Sequence, residues 1–100
     1  MEPAIVMEIK DNKFSRQFET VVEKGLISVE YSFQEKKIFL SKINQPDGYN
    51  NEVFISDFLK QIMEIAYQNK WKVVPIFPKI ALFVKKNPTY KDLLPPGIKI

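Results

Sequence analysis

Residues 45–58, QPDGYNNEVFISDF, carry the change of period that decides the fold. Pro46, Asp47 and Gly48 are turn residues, and beyond them the chain switches from the alternation of a strand to the spacing of a helix. From Glu52 to Asn69, the apolar residues Ile55, Phe58, Leu59, Ile62, Ile65 and Ala66 share one helical face, with Asp57, Lys60, Gln61, Glu64 and Gln68 opposite. Asn50 or Asn51 suits the N-cap, and Glu52 in the first turn complements the helix dipole. A helix mouth presents unpaired N–H groups, so this loop either caps itself or holds an anion.

Upstream of the switch, residues 4–43 read as strands. In LISVEYSF (26–33), Ile27, Val29, Tyr31 and Phe33 alternate with Ser28, Glu30 and Ser32, as in a half-buried strand. A polar connection at 34–36 leads to an antiparallel partner at 37–43. Residues 14–22 form a further strand, joined through Glu23, Lys24 and Gly25, where glycine allows positive φ. Downstream, Asn69 and Lys70 end the helix. Residues 71–77 read as a buried central strand limited by Pro75 and Pro78, and a second helix runs over 78–86, stopped by Asn87 before Pro88. Trp71, Phe77 and Phe83 are expected in the core, and the tail is irregular. The order defines an α+β fold: an antiparallel meander, then helix, strand and helix, with helices packed on one mixed sheet. Residues 1–13 are an extension or a first strand, residues 14–94 the domain, and residues 95–100 a tail.

Composition narrows the chemistry. One hundred residues, 45% of them apolar, suffice for one compact core. Cysteine and histidine are both absent, which removes disulfides, thiol nucleophiles, imidazole acid–base catalysis and the usual zinc sites; no metal is expected. The N-terminal residues resemble neither a signal peptide nor a membrane span, so a cytoplasmic protein is expected. Residues 70–100 carry seven lysines against one acid, and residues 1–69 eight cations against eleven acids. The basic third is either a solvated surface or a partner for phosphates. Nucleic acid ranks below other partners, because no RNA-binding signature accompanies the charge.

Several segments together resemble the small, stand-alone GNAT-type N-acetyltransferase-like proteins. These are Arg16-Gln-Phe18 and residues 25–31 near the start, LSKINQP (40–46) before the helix, and WKVVPIFP (71–78) with VKKNPTYKDLL (84–94) at the end. The resemblance implies a GNAT-like fold, acetyl-CoA as acyl donor and an amine as acceptor. It implies that the coenzyme pyrophosphate lies on a glycine loop at the long helix's N-terminus, and the thioester beside the strand before Pro75 and Pro78. On this alignment the phosphate loop falls on residues 50–55, with Asn50 in place of arginine and Asn51, Val53 and Ile55 in place of glycines. Phe77 replaces the family's cysteine, and Lys42 its histidine. The resulting site comprises Glu30 as general base and Tyr90 as proton donor, with Val73, Val74, Pro75, Asn50, Asn51 and Lys85 toward the coenzyme. Two functions stay open: an acetyl-CoA-dependent N-acyltransferase with altered phosphate contacts, and a binding module that keeps the fold without coenzyme.

Overall fold

The computed structural model describes residues 7–98 and 100. Among them, five strands form one sheet in the order of the chain: β1 (Lys10–Asn12), β2 (Gln17–Val22), β3 (Gly25–Gln34), β4 (Lys37–Asn44) and β5 (Lys72–Pro75). The first four are antiparallel neighbours, and β5 returns parallel to β4 through helix α1 (Glu52–Gln68). Helix α2 (Pro78–Lys86) and a 3₁₀ helix (Pro88–Leu93) complete the order. The α+β order expected from the sequence, an antiparallel meander followed by helix, strand and helix, is present.

Hairpin chemistry sets the meander. Glu35 and Lys36 both adopt positive φ (52° and 64°) between β3 and β4, the conformation of a type I′ turn that matches strand twist. Gly25, at φ 141°, opens β3 after the Glu23–Lys24 turn. The strand expected from residue 14 begins at Gln17 instead. The Asn12 side chain accepts from Ser15 N at 3.0 Å and Arg16 takes φ 56°, so residues 13–16 turn and leave Phe14 fully solvent-exposed. Residues 4–6 of the expected strand region lie outside the described residues.

Cross-strand partners define the two sheet faces. Phe18, Ile27, Val29, Ile38, Leu40, Ile43 and Val73 are buried on one face beneath α1, as the alternation in β3 predicts. Helix α1 contributes Ile55, Phe58, Leu59, Ile62, Met63 and Ala66 to the same core, each large side chain stabilising by roughly 1.5–3 kcal/mol on burial. Ile65 is partly buried beside them. Ile80, Phe83 and Val84 of α2 close one flank. Trp71 and Phe77, expected in the core, are only partly buried; Trp71 packs edge-on against Phe33 with ring centroids 5.0 Å apart. β5 is shorter than expected and is an edge strand, not a central one, since it pairs only with β4. No helix among the described residues is long and apolar enough to cross a membrane.

Candidate functional site

The two parallel strands part company midway. Register runs from Lys37 opposite Lys72 to Leu40 opposite Pro75, and Leu40 O accepts from Ile76 N at 3.0 Å and Phe77 N at 3.1 Å. There the pairing stops, because Pro78 starts α2 while β4 continues to Asn44. On the other side of β4, Glu30 faces Lys42 and Tyr31 faces Leu40, so Ser41 is an extra residue in a bulge. Ser41 Oγ donates to Glu30 O at 3.2 Å. The bulge bends β4, and residues 41–44 present a backbone edge that β5 does not take up. Such a crevice beyond the carboxyl ends of parallel strands is where open sheets take ligands.

Both helices begin at this crevice. Before α1, Tyr49 N donates to Pro46 O at 3.0 Å with Gly48 at φ 76°, and Gln45 Nε2 donates to Tyr49 O at 2.7 Å. Asn51 is the N-cap, its Oδ1 accepting from Phe54 N at 3.1 Å; Asn50 precedes it, exposed. Glu52 in the first turn meets Lys79 Nζ in the first turn of α2 at 2.9 Å. Lys24 also reaches this loop: its Nζ is 3.7 Å from where a Cβ on Gly48 would stand. The cations at the mouth are therefore Lys24 and Lys79. Lys85 lies in the last turn of α2, about 9 Å further along the helix.

Acetyl-CoA fits one half of this arrangement better than the other. The open edge of β4 suits an extended, amide-bearing pantetheine arm, which binds by strand-like hydrogen bonds. The phosphate end lacks a glycine cradle: Asn51 occupies one orphan donor, Glu52 adds negative charge, and Ile55 is buried in the core at 1% exposure. The groups that could meet a phosphate there are Lys24, Lys79 if released from Glu52, and the first-turn N–H groups that Asn51 leaves open.

The sheet face away from the helices carries a polar lattice. Glu30 Oε2 accepts from Asn44 Nδ2 at 2.6 Å, and the same amide donates to Ser28 Oγ at 3.2 Å. One row along, Glu19 Oε2 accepts from Gln17 Nε2 at 2.6 Å and Asn12 Nδ2 at 2.9 Å. These bonds hold the Glu19 carboxyl below the usual carboxylate range, Gln17 contributing most. Glu30 is thus fixed beside the bulge, with Lys42 as its cross-strand partner. Tyr90 is elsewhere. It stacks on Phe83 with centroids 5.8 Å apart on the helix side, and burial, then the charge of Glu64, pushes its phenol up. The structure does not bring Glu30 and Tyr90 together. Val73 and Pro75 are buried and Val74 half-buried, all three in the register with β4 that precedes the divergence.

Sequence reasoning missed Ser41 and Asn44, yet a signal for the bulge exists. Inward residues run Ile38, Leu40, then Ile43, a one-residue slip in the period of two, while β3 keeps Ile27, Val29, Tyr31 in step. The Glu52–Lys79 pair spans elements distant in sequence and leaves no local pattern.

A mixed sheet whose parallel strands diverge after a bulge, with a long helix entering at the crevice, is the fold of a small GNAT-like domain. A Staphylococcus aureus protein assigned as a GCN5-like N-acetyltransferase, solved in solution by NMR, shares it with a TM-score of 0.70 at 20% identity, over 92% of this chain and 90% of its own. No family model matches the sequence, and no curated protein matches it.

Proposed function

We propose that this GNAT-fold domain binds a coenzyme A thioester along the open edge of β4 and transfers the acyl group to an amine. The observation that carries the reading is the end of β4–β5 pairing at Leu40, directly before the Ser41 bulge. The coenzyme, when bound, supplies an activated acyl carbonyl. The chain's part is positioning and proton traffic. Backbone groups of residues 41–44 orient the arm, and an N–H of this edge is the donor available to a developing oxyanion. Asn44 holds the Glu30 carboxylate, which accepts the proton an amine must lose before it attacks. Lys24 and Lys79 meet the phosphates.

A second reading rests on the mouth of α1. Asn51 and Glu52 finish the helix end without a ligand, which favours a module that keeps the fold and recognises a partner instead. Thermal unfolding with acetyl-CoA, free coenzyme A and ATP separates the two. At one hundred times Kd a ligand adds about 2.7 kcal/mol, a rise in Tm on the order of 10 °C for a domain of this size. Stabilisation by both coenzyme forms and not by ATP supports the transferase reading; no shift at millimolar coenzyme leaves the module.

A further inference from the structure

A second cleft lies at the other end of α1. Glu64 is about 18 Å along the helix axis from Glu52, so the two places are separate. Here Glu64 and Tyr67 of α1 face Thr89, Tyr90, Asp92 and Leu93 around a space of about 250 Å³. An adjoining cleft of about 370 Å³ shares Tyr67, Asp92 and Leu93, and is bordered by Trp71.

We infer that this cleft binds a small organic ammonium ion, with Tyr67 and Tyr90 as its aromatic walls and Glu64 and Asp92 as its counter-charges. Four features support the assignment. The Tyr90 ring is preorganised by its stack on Phe83, and the neighbouring Leu93 is buried, so this wall exists before any ligand arrives. Tyr67 is 68% exposed at the rim of this cleft, leaving a ring face for a ligand. Among the described residues, neither the Glu64 nor the Asp92 carboxylate has a hydrogen bond or an ion pair; Lys72 Nζ donates to the Asp92 backbone oxygen at 3.0 Å instead. The negative charge of Glu64 is felt at the Tyr90 hydroxyl, so carboxylate and ring act on the same space. Aromatic faces with nearby carboxylates attract alkylammonium groups by cation–π and Coulomb forces together, and the apolar methyl groups of a quaternary ammonium suit the rings. Lys70 and Lys72 border the adjoining cleft, Lys72 beside Asp92, and their charge disfavours a long polycation relative to a compact monocation.

The chain carries its own reporter, since Trp71 is its one tryptophan. The test titrates the full chain with choline, with its uncharged carbon isostere dimethylbutanol, and with sodium chloride at matched ionic strength, following Trp71 emission and amide NMR shifts. The contacts available correspond to a Kd in the millimolar range, to order of magnitude. Choline is expected to shift Glu64, Tyr67, Tyr90 and Asp92 saturably, and the isostere and salt to leave them in place. Glu64→Gln should weaken binding about fivefold and Tyr67→Ala about threefold, both at exposed side chains where the fold survives. Glu35→Gln, in the β3–β4 turn, should change nothing. Equal shifts from the isostere, no saturable shift with choline, or an affinity unmoved by Glu64→Gln would overturn the assignment. None of these outcomes depends on coenzyme binding at the crevice.

Discussion

Placing glycines at the helix mouth separates two residues that look alike in sequence. Val53 and Ile55 are both β-branched and stand two apart in the first turns of α1, but Val53 is 70% exposed and Ile55 only 1%. Val53→Gly loses little packing. Its cost is helix propensity, about 0.5 kcal/mol, and Asn51→Gly at the cap adds a few tenths. Ile55→Gly removes a side chain enclosed by the sheet and α1. Truncation of such a residue to alanine costs about 2–5 kcal/mol, and glycine adds about 1 more. Set against roughly 5–15 kcal/mol for the whole domain, that change removes a large share of its stability. Urea unfolding followed by circular dichroism reads all three variants: the Asn51→Gly/Val53→Gly pair should shift the midpoint slightly, and Ile55→Gly should move it far or abolish folding. Equal destabilisation by Val53→Gly and Ile55→Gly would refute the placement of Ile55 in the core. The same numbers give a physical reason why this helix does not readily accept a glycine cradle.

Other substitutions test the site and its surroundings. Tyr31 donates to Asp11 Oδ1 at 2.5 Å, and burial, then Asp11, pushes its phenol up to about 12 from 10. Because the folded state holds this proton more tightly, the stabilisation is complete below pH 10 and is lost as pH rises from 10 toward about 12; ultraviolet titration of Tyr31→Phe should lack the highest phenolate step, and persistence of that step would contradict the assignment. Lys79→Ala should alter stability by no more than about 1 kcal/mol, since its pair with Glu52 is exposed, yet weaken coenzyme binding; an unchanged Kd in calorimetry would remove Lys79 from the phosphate site. Glu30→Gln should leave the fold and coenzyme affinity intact and slow transfer to an amine by about a hundredfold or more, whereas an unchanged rate in a thiol-release assay would exclude it as the base.

The elements legible in the sequence are those whose pattern is local. Helix α1 announces itself because six inward residues repeat at helical spacing, and its cap at Asn51 comes from side-chain chemistry. The faces of β3 come from strict alternation, although Ser28 on the polar face is 4% exposed because Asn44 and its neighbours crowd over it. Pattern misleads where tertiary context decides. Residues 71–77 look central because they are apolar, but β5 is an edge strand whose burial comes from the helices on one face. Phe14 looks like strand, and the Asn12 side chain makes it a turn. At the site, alternation tells that Glu30 points away from the helices, and nothing local tells that Asn44 holds it. Lys85 stands out in a run of lysines, while the α2 cation that reaches the mouth beside Lys24 is Lys79, selected by the direction of α2.

Everything proposed for the crevice depends on a coenzyme A thioester lying along the β4 edge that opens after the Ser41 bulge. Amide NMR of the full chain titrated with acetyl-CoA can locate it there. Saturable shifts are expected at residues 41–44 and at Ile76, Phe77 and Lys79, with smaller ones near Lys24. Shifts absent at millimolar acetyl-CoA, or confined to residues remote from the crevice, would rule that edge out.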